Sequence, residues 1–241
     1  MNTVFNPTTN GELHLGHLYM ILVNECEAHR SGGKFIIRFD DNQFKWNVVE
    51  HVNFSFRPII VNSMIWLDIK VDKYTSQLET EVDVDKMLYY MNKGPIPVVE
   101  MKTNTVQIPH MINPMNHDPY PYVPWITARK VVEDFLDEIS LKIRGDDLIS
   151  EYALYSYFCD LWQLPQPVQW FLPRLFTESG NKLSNVSKTS GNWKLSSFYE
   201  RGIRPQDLIE NLKNYCLKDS KGEWTLDNVE PYPVIPEDFL K

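Results

Sequence analysis

The 241-residue chain has an ordinary globular composition, with 43% hydrophobic and 23% charged residues. Its net charge of −8 excludes a globally basic nucleic-acid-binding surface, although it is compatible with a local basic strip. No apolar run approaches the roughly 20 residues that a membrane-spanning helix needs. The three cysteines lie too far apart to indicate a zinc or disulfide framework. We therefore expect a cytoplasmic protein with no bound zinc and no membrane association.

The first forty residues predict the opening of a parallel α/β sheet. The predicted elements are a strand at 3–5, a turn-rich stretch at 6–11, a helix at about 14–30 and a buried strand at 34–39. Ligands of such sheets bind beyond the carboxyl ends of the strands. The loop at 6–17 and the pair Asp40-Asp41 both lie at that position.

The remaining pattern is less regular. In chain order it predicts a helix at 47–67, a helix at 78–91, a proline-rich excursion at 92–122 with one short hairpin, regular structure from about 131, a strand at 141–144, a helix at 147–162, a loop at 177–191 and a helical tail with an irregular end.

Two histidines, His14 and His17, flank Gly16 where the first loop becomes the first helix. Residues three apart share a helix face, and a helix N-terminus attracts anions. The two imidazoles can therefore hydrogen-bond phosphate oxygens, while Gly16 lets a flat base approach the backbone. Taken alone, this pattern is also compatible with two surface histidines.

Four segments in order resemble the signatures of one enzyme family. Residues 5–17 (FNPTTNGELHLGH) resemble FxPxPxGxLHxGH, 37–42 (IRFDDN) resemble RFDDTN, 131–147 contain a VVED…IRGDD pair, and 180–184 (GNKLS) resemble the KMSKS loop in its KLSK form. Together they resemble class I aminoacyl-tRNA synthetases of the glutamyl/glutaminyl branch, including the glutamyl-Q-tRNA synthetase type.

The resemblance implies an α/β fold, namely a Rossmann-like parallel-sheet catalytic core. We expect an ATP-binding catalytic domain at 1–190, with a reduced insertion at about 92–122, followed by a helical C-terminal segment at 191–241. A generic Rossmann-like protein with coincidental motifs is the structural alternative.

The same resemblance implies ATP and Mg²⁺ as cofactors. An amino acid α-carboxylate would attack the α-phosphorus in line, releasing pyrophosphate and leaving an aminoacyl-adenylate; positioning and charge neutralisation supply most of such catalysis. The implied catalytic residues are His14, His17, Lys182 and Lys188. The implied ATP-binding residues are Gly16, Asp146, Asp147, Leu175, Phe176 and Ser184. For Asp146 and Asp147 an ordinary solvated charge pair is the alternative.

The implied amino-acid site departs from the family at two positions. Val4 stands where the family has an arginine, and Ile126 stands where it has a tyrosine. Thr8, Asp40 and Arg144 match other residues of this site, and Lys130 stands beside Arg144 at a position that is usually neutral. A buried polar site rejects ligands that leave its groups unpaired. We therefore expect a substrate other than plain glutamate or glutamine. An acidic substrate that is recognised by Lys130 and Arg144 is an open alternative.

The sequence also leaves alternatives open for the catalytic lysines of the loop at 180–188 and for the acceptor of the aminoacyl group. Asn185 replaces the second lysine of the loop, and Lys188 is the nearest substitute. The short insertion leaves tRNA and a small-molecule or carrier acceptor both open. Two further functions are a non-catalytic nucleotide- or amino-acid-binding regulatory module, and an HxGH nucleotidyltransferase that acts on a non-amino-acid carboxylate.

Overall fold

The structure, a computed structural model, describes residues 1–41, 56–80, 110–112, 119–183 and 192–240, with the backbone alone at 110–112 and 119–126. The chain divides into two compact units. The first unit comprises Met1–Leu78, Ser140–Ile149 and Val168–Lys241, and the second comprises Glu79–Ile139 and Ser150–Pro167. The predicted domain boundary at 190–191 lies outside the described residues and stays a prediction.

Parallel strands form the framework of the first unit. They are β1 (Thr3–Phe5), β2 (Phe35–Phe39) and β3 (Lys73–Ser76). Strand β2 lies between the other two, with Val4 opposite Ile36 and Ile37 opposite Tyr74. All five residues of β2 are buried, as an apolar central strand requires. The predicted strands at 3–5 and 34–39 are confirmed, whereas β3 was not predicted, because its sequence KYTS is short and polar.

A second parallel pair adjoins β1. It consists of β6 (Leu141–Gly145) and β7 (Val168–Leu172). The backbone N–H groups of Ser140 and Leu141 both donate to the carbonyl of Asn2, which places the start of β6 next to β1. The predicted strand at 141–144 is confirmed. The last parallel pair is β8 (Phe176–Thr177) with β9 (Val234–Ile235), so the proline-rich end of the chain is more regular than predicted.

The helices of the first unit pack against this framework. They are α1 (Leu15–Arg30), α2 (Arg57–Trp66), α5 (Leu195–Glu200) and α6 (Pro205–Cys216), with a 3-10 turn at Leu226–Asn228. The predicted apolar face of α1, with Leu15, Leu18, Ile21 and Leu22, is buried in the core. A carboxylate oxygen of Glu27 accepts the backbone N–H of Leu226 at 2.8 Å, which ties α1 to the end of the chain.

The second unit contains β4 (His110–Ile112), β5 (Pro119–Pro121), α3 (Tyr122–Leu136) and α4 (Tyr152–Trp162). Strands β4 and β5 are antiparallel, which confirms the predicted hairpin. Helix α3 begins nine residues before the predicted start, because Pro124 lies in the first turn, where backbone N–H groups have no intrahelical partner. The predicted helix at 147–162 begins as a 3-10 turn at Asp146–Glu151.

Two other predicted helices are only partly described. Helix α2 ends at Trp66, as predicted for the helix at 47–67, whose beginning lies outside the described residues. Residues 77–80 are helical, and the rest of the predicted helix at 78–91 also lies outside them. Within the described ranges, no helix combines the length and apolar character that crossing a membrane requires.

Candidate active site

The N-terminus of α1 is built by a reciprocal arrangement of two histidines. His14 is the N-cap residue, with extended backbone dihedrals, and its Nδ1 accepts the N–H of Gly16 at 3.1 Å. The Nδ1 of His17 in turn accepts the N–H of His14 at 3.2 Å. A Cβ on residue 16 would lie 3.0 Å from the His14 ring, so the ring would have to shift by a few tenths of an ångström to accommodate a side chain there. Glycine therefore leaves the capping ring in place.

These contacts assign a tautomer to both rings. Because each Nδ1 accepts a backbone N–H, the proton of the neutral imidazole lies on Nε2. The two rings are stacked, with centroids 3.7 Å apart. Burial lowers the pKa of His17 well below its usual value, and the charge of His14 lowers it further. The pair is thus arranged as neutral Nε2–H donors at a helix N-terminus, which suits the oxygens of an anion.

A cavity of about 780 Å³ lies at this helix N-terminus. Seven of the predicted site residues line it: Thr8, His14, Gly16, His17, Asp147, Leu175 and Lys182. Its size and mixed lining are those of a small-molecule site. The fold therefore brings residues of three of the four signature segments, namely 5–17, 131–147 and 180–184, to one cavity.

Lys182 reaches the cavity from a tight turn that follows β8. The N–H of Leu183 donates to the carbonyl of Leu175 at 3.0 Å, and Gly180 has a φ of +78°, which glycine adopts without strain. The Nζ of Lys182 lies 2.9 Å from Oδ2 of Asp147. Burial alone would raise the pKa of Asp147, but the hydrogen bond and charge of Lys182 outweigh it and lower that pKa.

Sequence reasoning missed three charged residues that line the same cavity, namely Glu12, Arg174 and Lys194. The Nε of Arg174 lies 2.5 Å from Oδ1 of Asp146, a predicted residue that does not itself line the cavity. Glu12 lies inside the recognised signature segment, two residues before His14, and this position was its only signal. Arg174 and Lys194 carry no pattern that would single them out.

The predicted amino-acid-binding residues of the first unit lie in and around β1, β2 and β6. Val4 is buried in β1, and Thr8 pairs through its backbone with Asp40 at the end of β2. Arg144 in β6 is also buried, and its guanidinium donates to the carbonyl of Leu148 at 3.3 Å. Of these four residues only Thr8 lines the cavity.

The remaining predicted residues lie elsewhere. Ile126 and Lys130 are in α3 of the second unit, where the Nζ of Lys130 lies 3.3 Å from a carboxylate oxygen of Glu151. Phe176 in β8 is partly exposed and does not line the cavity. Ser184 and Lys188 lie outside the described residues.

Comparison with known proteins agrees with the signature segments. Residues 1–93 match the family model of the catalytic domain of class I tRNA synthetases (E and Q). The chain is 25% identical over 279 residues to glutamate–tRNA ligase 2 of Ehrlichia ruminantium (strain Gardel), covering 90% of this chain. It is 23% identical over 272 residues to glutamate–tRNA ligase 1 of Helicobacter pylori (strain HPAG1), covering 87% of this chain. The chain is glutamyl-tRNA synthetase-like.

Solved structures share the fold of this synthetase-like chain. A glutamate tRNA ligase from Elizabethkingia meningosepticum superposes with a TM-score of 0.72 at 14% identity, over 99% of this chain and 67% of that one. The glutamate-tRNA synthetase of Elizabethkingia anophelis gives 0.70 at 15% identity, over 98% and 68%. The predicted Rossmann-like synthetase core is confirmed. The synthetase-like chain spans 56% of the length of the two curated ligases that it matches.

Proposed function

We propose that the chain is an ATP-dependent aminoacyl ligase that forms an aminoacyl-adenylate and transfers the aminoacyl group to tRNA or to another acceptor. One observation carries the proposal: His14, His17 and Lys182 line a single cavity at the N-terminus of α1. The relatives that are named glutamate–tRNA ligases support the same class of reaction.

The geometry fits a triphosphate. The neutral Nε2–H donors of His14 and His17 would bind phosphate oxygens without bringing in a like charge that repels Lys182. Lys182 would neutralise the charge that develops on the leaving pyrophosphate. The donors are fixed before ATP binds, because backbone contacts hold both rings. Such preorganisation is the main contribution of a protein to phosphoryl-group chemistry.

Mg²⁺ would enter with ATP in this proposal. No group of three or more histidine, cysteine, aspartate or glutamate side chains in the described ranges is arranged to hold a metal ion. Mg²⁺ is commonly held by substrate phosphates with one or two carboxylates. Glu12 and Asp147 are the carboxylates that line the cavity. The ion would neutralise phosphate charge during the reaction.

The amino-acid site remains a proposal drawn from the sequence. Thr8 and Asp40 would hold the α-amino group, and Val4, in place of the family's arginine, would make the site less polar than a glutamate site needs. Arg144 would favour an acidic substrate. The proposed location of this enzyme is the cytoplasm.

The test is ATP–pyrophosphate exchange with each standard amino acid, with and without total tRNA. Exchange with one amino acid that is abolished in His14→Ala would support adenylate formation and identify the substrate. Since His14 also caps α1, the variant must first be shown to retain its helical content and unfolding midpoint. Exchange at the same rate in a folded His14→Ala protein would contradict the proposal.

A non-catalytic binding module is the second candidate function. Asn185 in place of a lysine favours it, because it removes one cation from the loop that would act on pyrophosphate. A single comparison, ATP binding against pyrophosphate exchange, distinguishes the two functions. ATP binding detected by calorimetry, together with no exchange under any condition, would favour the binding module.

A further inference from the structure

The segment before α1 is paired with the segment that begins α5. The N–H of Leu15 donates to the carbonyl of Trp193, and the N–H of Leu195 donates to the carbonyl of Leu13, both at 2.9 Å. This is an antiparallel bridge in which His14 and Lys194 lie directly opposite each other.

The bridge determines where the Lys194 side chain points. Its two hydrogen bonds flank the pair His14–Lys194, which is therefore a non-hydrogen-bonded pair with Cα atoms about 4.5 Å apart. Directly opposite residues of an antiparallel pair project from the same face. Lys194 and His14 accordingly both line the cavity.

Among the described residues, three cationic side chains line this cavity, and the lengths of their ion pairs differ. Arg174 lies 2.5 Å from Asp146, and Lys182 lies 2.9 Å from Asp147. The Nζ of Lys194 lies 3.4 Å from Oε1 of Glu12, which is longer than a normal charge-assisted hydrogen bond.

Glu12 is itself shared between two partners. Its second oxygen accepts the hydroxyl of Ser196, which lies in the first turn of α5. The Lys194 side chain is 40% exposed, so its ion pair with Glu12 is screened by solvent and costs little to exchange. Lys194 thus has a long, solvent-screened ion pair that an incoming anion can exchange at little cost.

We propose that Lys194 is a phosphate-binding residue, which contacts the β- and γ-phosphates of ATP beside His14 while Glu12 holds its side chain in place in the free protein. This assignment rests on the proposed function. Both neighbours of Lys194 are held by backbone hydrogen bonds, so its cation is positioned before ATP arrives. Losing one such charged contact lowers affinity by about ten- to a hundredfold.

The experiment compares ATP with AMP, because AMP lacks the phosphates that Lys194 contacts. Dissociation constants would be measured by calorimetry for the wild type, Lys194→Met and Lys194→Arg. Lys194→Met should weaken ATP binding about ten- to a hundredfold, leave AMP binding within about twofold, and be largely rescued in Lys194→Arg. Lys70→Met is the matched control, since Lys70 also forms a long ion pair, 3.5 Å from Asp72, and does not line the cavity.

The outcomes separate this inference from the proposed function. Unchanged ATP binding in Lys194→Met would overturn the role of Lys194 and leave the proposed function standing. An equal loss of ATP and AMP binding would also overturn it, because that result indicates a purely structural residue. A wild-type protein that binds neither nucleotide would overturn the proposed function and this inference with it.

Discussion

Replacing His17 by asparagine should flatten the dependence of protein stability on pH. Burial and the charge of His14 hold the pKa of His17 well below its usual value. An unfolded chain binds a proton at this histidine with a pKa of about 6.5. Between the folded pKa and about 6.5 the unfolded state binds more protons, so the free energy of unfolding falls as the pH falls. Below the folded pKa this contribution is fully lost.

The magnitude follows from the shift in pKa. If His17 stays neutral in the folded protein, stability at pH 5.5 is lower than at pH 7.5 by about 1.4 kcal/mol from this residue alone. In His17→Asn the side-chain oxygen replaces Nδ1 as the acceptor for the N–H of His14, so the cap of α1 is retained without a titrating group. The variant should therefore not show this loss of stability between pH 7.5 and pH 5.5.

Urea unfolding at pH 7.5, 6.5 and 5.5 would measure the difference. Titrating groups that do not contact His17 affect both proteins equally, including Asp72, whose pKa is lowered because its contacts with Phe35 and His29 outweigh the effect of burial. The quantity to compare is the change in the free energy of unfolding with pH. Equal changes in wild type and variant would show that His17 is not held neutral by its surroundings.

Three more substitutions test the charged contacts of the first unit. Arg57→Met leaves the buried Asp41 carboxylate without its cation and should lower the free energy of unfolding by about 3 to 5 kcal/mol in urea titrations. Arg204→Met, at an exposed ion pair, should leave the unfolding midpoint unchanged; equal effects would contradict the role of burial. Asp147→Asn frees Lys182 and should tighten pyrophosphate binding by up to about fivefold in calorimetry, whereas weaker binding would show that Asp147 supports the anion site.

The opening of the sheet was predictable because its signals are local. A mostly apolar run at 35–39, interrupted only by Arg38, indicates a buried strand, and the Leu15, Leu18, Ile21 and Leu22 spacing indicates one helix face. Strands β3 and β7 lack such signals. Trp170 in β7 is exposed while its neighbours are not, and β3 is recognisable only through its pairing with β2. Short strands of this kind depend on the neighbour that supplies their hydrogen bonds.

The candidate site was predictable where recognised segments carry it. His14, Gly16, His17 and Lys182 are each part of a signature, and the structure places all four at one cavity. The detailed structural roles of these residues were harder to predict from the sequence. The sequence suggests that Gly16 admits a flat base, whereas the structure shows that its lack of a side chain also makes room for the His14 ring. Ring orientation depends on which backbone N–H each nitrogen accepts.

By itself, the sequence determined the fold class, the helix that carries the two histidines and three of the signature segments whose residues line one cavity, because these depend on local periodicity and short motifs. Only the tertiary structure decided the charge arrangement of the cavity. Glu12 and Lys194 are separated by 182 positions and meet because the loop before α1 pairs with the chain before α5. Such a contact arises from backbone hydrogen bonding between distant segments, and no single stretch of sequence encodes it.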